Sequence, residues 1–159
     1  MTLPDGGWVT NSHKILEFRS RPGIPFAVGA TTGRSDRMMD TLQVQQTLYP
    51  VVADEIAAGG LPVHAALIER AGVGVLIAAT GGTGKSTCCQ RIPSPWRSLC
   101  DDEALILKTG EDSYRVHPFP TWSEHMWGPS ERSWNVEQHV RLAAIFFLEG
   151  AEIDDPLPY

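Results

Sequence analysis

Between positions 79 and 87 the chain reads Ala-Thr-Gly-Gly-Thr-Gly-Lys-Ser-Thr. Three glycines followed by Lys85 and Ser86 are the ingredients of a phosphate cradle. A triphosphate needs several donors converging on it and no side chains in the way. Gly81, Gly82 and Gly84 allow the backbone to curl so that successive N–H groups turn inward. Lys85 adds a full charge within reach of the β- and γ-phosphates, and the Ser86 hydroxyl suits a Mg²⁺ ion beside them. Thr80, Thr83 and Thr87 complete the set of candidate nucleotide contacts. The usual pattern, G-x-x-x-x-G-K-[ST], has Ala79 at its first position here, a small residue that still permits the turn. The bland alternative is a glycine-rich turn between strand and helix with a chance Lys-Ser.

Two other groups bear on the same chemistry: His64, and the adjacent carboxylates Asp101 and Asp102. Phosphoryl transfer needs a cradle, a metal and often a carboxylate near the acceptor hydroxyl. A pair of carboxylates can divide that task, one holding Mg²⁺ or a water on it, the other accepting the hydroxyl proton. His64 has two candidate roles, contacting the transferring phosphoryl or tuning the carboxylates. Against this stand the ordinary readings of a hydrogen-bonded core histidine and a solvated Asp-Asp turn.

These residues need elements to position them. Val73–Ala78 is an apolar run of strand length that feeds the glycine-rich loop, and Thr87–Ile92 continues as a helix until Pro93. Val63–Glu69 reads as the preceding strand, turned by Arg70-Ala71-Gly72, so the loop is entered from a tight antiparallel pair rather than from a crossover helix. Ala104–Lys108 and Tyr114–His117 form a hairpin about Thr109–Ser113, which sets the carboxylate pair at a strand entrance. Upstream, His13–Arg19 and Phe26–Ala30 read as strands of a small β elaboration. Asp40 caps a helix over 41–58 with Leu42, Leu48, Val52 and Ile56 on its apolar face. Pro50 starts or kinks its second half, and Gly59-Gly60 ends it. Residues 117–134 are dense in Pro, Trp, His and Gly, as a structural lid or the lining of a substrate site would be. Asn135, with Gln138 three residues on, predicts a capped C-terminal helix with Val136, Val140, Ala143, Ala144, Phe147 and Leu148 as its stripe. The tail, 154–159, reads as irregular, as in a truncation or a compact family member.

With 159 residues the expectation is one domain: a β elaboration and helix over 1–62, a nucleotide-binding core over 63–118, and a loop and helix over 119–159. A net charge of −6 argues against a nucleic-acid binder, which needs a basic footprint. Cys88, Cys89 and Cys100 lack framework or zinc spacing and read as reduced packing residues. No apolar stretch reaches membrane-span length and the N-terminus does not read as a signal peptide, so a cytoplasmic protein is expected.

The ordered segments His64-Ala65-Ala66-Leu67-Ile68, Gly72-Val73-Gly74-Val75-Leu76-Ile77, Gly82-Thr83-Gly84-Lys85-Ser86 and Cys100-Asp101-Asp102 resemble the catalytic domain of HPr kinase/phosphorylase over residues 63–108. Ala79 and Ala65 stand where that family has glycine. The stretch Pro-Trp-Arg-Ser-Leu-Cys-Asp-Asp-Glu-Ala-Leu and the segment Pro-Thr-Trp-Ser look more like a smaller relative, the SynChlorMet cassette protein ScmC group, HPr-kinase-like proteins associated with radical-SAM peptide maturation. The resemblance implies an α/β P-loop domain of the type shared with phosphoenolpyruvate carboxykinase, a mixed β-sheet with flanking helices. It implies Lys85 on the β/γ-phosphates, Ser86 on Mg²⁺, Asp101 as base, Asp102 supporting the metal or its water, and His64 contacting the phosphoryl or standing behind the carboxylates. It is also compatible with a homo-oligomer.

The function expected from these residues is Mg·ATP-dependent transfer of a phosphoryl group to a hydroxyl of a peptide or protein. GTP is not distinguished from ATP, because no base-reading motif follows. The rival is an accessory or scaffold module that binds nucleotide without transfer, and a small-molecule kinase differs from the first reading only in its acceptor.

Overall fold

The structure, a computed structural model, describes residues 7, 9–13, 16–21, 28–31, 48–119, 122–124, 132, 135 and 137–150. The fold is α/β, with a mixed six-stranded sheet and few helices. Its centre is the antiparallel pair β4 (Leu61–Arg70) and β5 (Val73–Ala78), in register from Ala65 opposite Ala78 to Arg70 opposite Val73. Ala71 and Gly72 join them, both at positive φ (52° and 78°), as in the two-residue turn whose twist matches a tight hairpin.

The other edge of β4 carries β6 (Arg97–Cys100) and β7 (Glu103–Lys108). Leu67 lies opposite Cys100 and His64 opposite Glu103, so the two strands follow one line along β4. Asp101-Asp102 is the break in that line. From β7 the pairing passes antiparallel to β8 (Tyr114–Pro118) and from there to β9 (Val140–Phe147). β9 then runs parallel to β5, so the sheet closes on itself through β4, β7, β8, β9 and β5.

Alternation along β4 decides what faces where. Ala65 and Leu67 join Leu76, Ala104, Ile106, Val116 and Val140 in one buried cluster within the ring. Gly74 is required in this wall: a Cβ there would lie 2.4 Å from Val140 Cγ2 and 3.2 Å from Leu67 Cδ1. Ala66 and Ile77 face the other way and pack on Cys89, which seats α2 (Lys85–Arg91) on the outside of the β4–β5 pair.

The other helix among the described residues, α1 (Tyr49–Ala57), starts with Pro50 in its first turn, where a fixed φ and a missing N–H cost nothing. It ends with Gly59 N–H on Ile56 O and Gly60 N–H on Glu55 O, the Schellman arrangement. The earlier half of the helix expected over 41–58, with its Asp40 cap, lies outside the described residues. Near the N-terminus, β1 (Val9–His13), β2 (Leu16–Ser20) and β3 (Val28–Thr31) form a three-stranded antiparallel sheet. His13 pairs with Leu16, so the single strand expected over His13–Arg19 is instead the end of one strand and most of the next.

The C-terminal helix is a second correction. Asn135 does cap a turn, its Oδ1 accepting the Glu137 N–H at 3.0 Å, but the turn closes with Gln138 N–H on Asn135 O and the chain then extends as β9. The run Val140-Arg-Leu-Ala-Ala-Ile-Phe-Phe is apolar almost throughout, so helical and strand periods both fit it. What decides is the open edge of β5, whose backbone donors and acceptors β9 satisfies. Val140, Leu142 and Ala144 then turn toward the ring while Arg141, Ala143 and Ile145 are exposed. Among the described residues no helix is long and apolar enough to cross a membrane.

Candidate functional site

β5 ends at Ala78 and α2 begins at Lys85, with the glycine-rich turn between them. Gly82 and Gly84 have φ of +80° and +106°, a region that L side chains rarely adopt, so these two positions call for glycine. A Cβ at Gly81, Gly82 or Gly84 would meet nothing within 4 Å, so the loop stands clear on that side. Its two threonines brace it from within: Thr80 and Thr83 hydroxyls are 2.8 Å apart, and Thr83 Oγ1 donates to Thr80 O at 2.9 Å. Thr87 is exposed on α2.

Lys85 is 6% exposed, unusual for a lysine. Its Nζ donates to Ala79 O at 2.9 Å and reaches Thr80 O at 3.5 Å, so the ammonium is folded back across the loop that precedes it. Neutral carbonyls are weak partners for a buried cation. An anion entering the loop would offer it a charge-assisted bond in their place.

Ser86, next on α2, does not stand alone. Its Oγ is 2.9 Å from Ser123 Oγ, and Ser123 Oγ donates to Asp101 Oδ2 at 2.5 Å. Ser123 N–H donates to the other oxygen of the same carboxylate at 2.8 Å. Asp101 is therefore held at both oxygens by one residue, and it is 6% exposed, directly after the fully buried Cys100. The chain Ser86–Ser123–Asp101 joins a helix start, a distant segment and the break between β6 and β7. Trp122, also buried, anchors the middle member, with the Arg132 guanidinium carbon 4.7 Å from its ring centroid. Beside this anchor is an open groove of about 370 Å³ whose walls include Cys89, Ile92, Trp96 and Trp122.

Asp102 points elsewhere. Its Oδ1 is 3.2 Å from His64 Nε2, and both side chains are solvent-accessible. His64 thus pairs with a carboxylate. The next carboxyl, Glu103, is raised above its ordinary value, first by desolvation and then by the Asp102 charge, with His64 acting the other way. Neither thiol near the site is poised as a nucleophile. Burial pushes the Cys100 thiol up to about 12 and raises Cys89 as well, and Cys100 Sγ donates to Glu103 O.

The site residues read from the sequence thus fall into two groups: Ser86 with Asp101, linked through Ser123, and His64 with Asp102. Lys85 is engaged with the loop's own carbonyls. Ser123 was marked in the sequence only as the end of the Pro-Thr-Trp-Ser segment and by the aromatic density around it; at 37 residues from Ser86 and 22 from Asp101, nothing in its spacing tied it to either. Oxygen donors suit a hard cation, and the residues expected to hold one, Ser86 and Asp102, offer a hydroxyl and a carboxylate; here the Ser86 hydroxyl bonds to Ser123 and the Asp102 carboxylate pairs with His64. Among the described residues no cluster of three or more His, Cys, Asp or Glu side chains has metal-binding geometry, so such an ion would also depend on waters and on phosphate oxygens.

No curated protein matches the sequence. The family described as "SynChlorMet cassette protein ScmC" matches residues 30–159, which is most of the chain, and the chain belongs to that family.

Proposed function

We propose that the chain is a P-loop phosphotransferase of the HPr kinase type, using Mg·ATP to phosphorylate a hydroxyl on a peptide or protein. The observation that carries this reading is the hydroxyl–carboxylate chain from Ser86 through Ser123 to Asp101, set beside a buried lysine held by nothing stronger than two carbonyls.

In this reading the nucleotide is the phosphoryl donor. Lys85 exchanges its carbonyl partners for β/γ-phosphate oxygens, and the loop backbone between Gly81 and Ser86 contributes N–H donors. Ser86 and Asp102 would hold Mg²⁺, which when bound neutralises the charge gathering on the phosphates. Asp101 accepts the proton of the acceptor hydroxyl, a step worth roughly 10²–10⁴-fold when the base is well placed. Asp102, paired with His64, supports the metal side of the site. Trp122 and its groove lie next to Asp101's partner Ser123 and fit the approach of an acceptor side chain. The family's description names a cassette protein, which is consistent with a role in peptide maturation. A second reading, an accessory module that binds nucleotide without transfer, draws support from Ser123, which occupies both Ser86 and Asp101.

The test is a calorimetric titration of Mg·ATP into the full chain and into Lys85→Ala. The wild type should bind. Lys85→Ala should bind about 10- to 100-fold more weakly, the loss of one charge-assisted contact, with its urea midpoint showing that it still folds. A wild-type chain that ignores millimolar nucleotide would overturn the proposal.

A further inference from the structure

The segment that reaches the site brings a hydroxyl of its own. A phosphoryl acceptor needs a base within hydrogen-bond reach and a place beside the phosphate cradle. Ser123 Oγ has both: Asp101 Oδ2 at 2.5 Å and Ser86 Oγ at 2.9 Å. Among the described residues it is the hydroxyl that meets the Asp101 carboxylate. The neighbouring hydroxyls are used otherwise. Thr80 and Thr83 bond to each other, and Ser98 Oγ donates to Cys100 O at 3.3 Å.

Ser123 is also aimed. Its N–H donates to Asp101 Oδ1 while its Oγ–H donates to Oδ2, so the backbone contact orients the hydroxyl toward the base. Buried Trp122, with Arg132 over its ring, fixes the preceding residue. Holding an acceptor in this way turns a bimolecular encounter into an intramolecular one, which lowers the barrier to reaction.

We propose that Ser123 is a site of self-phosphorylation, modified in cis by the nucleotide held in its own chain's glycine-rich loop. This rests on the phosphotransferase reading above and extends it to a residue of the protein itself. Ser123 Oγ bonds to the γ-phosphorus of ATP as its proton passes to Asp101 Oδ2. The bond between that phosphorus and the β–γ bridging oxygen breaks, ADP leaves with the electron pair, and Asp101 returns the proton to water. The product bears close to two negative charges against the Asp101 carboxylate. Like-charge repulsion then breaks the two bonds that held Ser123, which uncovers Asp101 for an external acceptor.

The experiment incubates the full chain with Mg·ATP and follows phosphate incorporation by intact mass, with the site located by peptide fragmentation. Nucleotide binding is measured by calorimetry on the same sample. The expected result is one phosphoryl group per chain, on Ser123, at a first-order rate independent of protein concentration. Ser123→Thr should carry the label as phosphothreonine at the same position, and Asp101→Asn should slow incorporation by roughly 100-fold or more. Binding without incorporation, or label on another residue, overturns self-phosphorylation and leaves the phosphotransferase reading standing. A rate that rises with protein concentration overturns transfer in cis. Absence of nucleotide binding overturns both proposals together.

Discussion

The inside of the closed sheet and its rim are built by opposite rules. Inside, Leu67, Leu76, Val116 and Val140 meet as regular strand positions, each buried by several neighbours, and the tolerance is so small that Gly74 has no room for a methyl group. On the rim, the atoms that could do chemistry come from places where regularity stops: the turn after β5, the break between β6 and β7, and the Trp122–Glu124 segment. There each polar group depends on one or two partners, as Asp101 depends on Ser123 and Lys85 on Ala79 O. Asp101 stands where the two regions meet. It follows Cys100, which belongs to the buried cluster, and precedes Asp102, which turns to solvent and His64. The closed sheet fixes one carboxylate, and the rest of the site is gathered around it.

The largest effect should come from separating the two adjacent carboxylates. Asp101→Asn keeps an oxygen acceptor for Ser123 N–H but cannot take a proton from a hydroxyl. On the phosphotransferase reading proposed above, phosphoryl transfer should fall by about 10²–10⁴-fold, with nucleotide affinity changed far less. Asp102→Asn weakens a pair whose histidine is 54% exposed, and should cost transfer less than its neighbour does. Measuring kcat and nucleotide Kd for both variants checks this. If the two substitutions cost the same, the contrast between an inward base and an outward support is wrong.

A smaller effect tests the interior. Gly74→Ala forces a methyl group against Val140 and Leu67 at a point where β9 closes onto β5. Overpacking of this kind costs roughly 1–3 kcal/mol, which a urea titration would register as a lowered midpoint. Nucleotide binding per folded molecule should be little changed, because the glycine-rich turn is anchored at the other end of β5. An unchanged midpoint would mean that the ring can relax and is not the rigid frame described above.

The same division explains what the sequence disclosed. β4, the turn, β5, the glycine-rich loop and α2 were legible because apolar runs alternate with glycine at strand ends, and a strand–loop–helix order is a local pattern. The β7–β8 hairpin was legible for the same reason. β9 was not: an apolar run that satisfies two periods is settled by its partner, and the partner, β5, lies more than 60 residues upstream. Nor was the continuity of β6 with β7 along β4, which shows Asp101-Asp102 to be a break in a strand line rather than only a strand entrance. The link from Ser123 to Ser86 was hidden most completely, since a hydrogen bond across 37 residues leaves no trace in spacing.

The smallest effect concerns how β4 is tied to β6, the strand that leads into Asp101. Glu69, on β4, is 5% exposed, and its carboxylate accepts Gly72 N–H at 2.6 Å and the Arg97 guanidinium at the start of β6. Arg97 first, and the Gly72 N–H next, hold the carboxyl below its ordinary value of 4.5. A carboxyl depressed in the folded state contributes stability that is present above its unfolded value and lost as pH falls through the folded one. Wild-type stability should therefore decline on acidification below 4.5, and Glu69→Gln should remove this part of the decline. At neutral pH the variant should be less stable by about 1 kcal/mol at most, since Arg97 is 63% exposed and solvent screens much of the pair. Urea midpoints for both proteins at neutral and acid pH decide it. Parallel curves across the whole range would show that the tie between β4 and β6 rests on backbone pairing alone, and that the frame under Asp101 needs no charge to hold it.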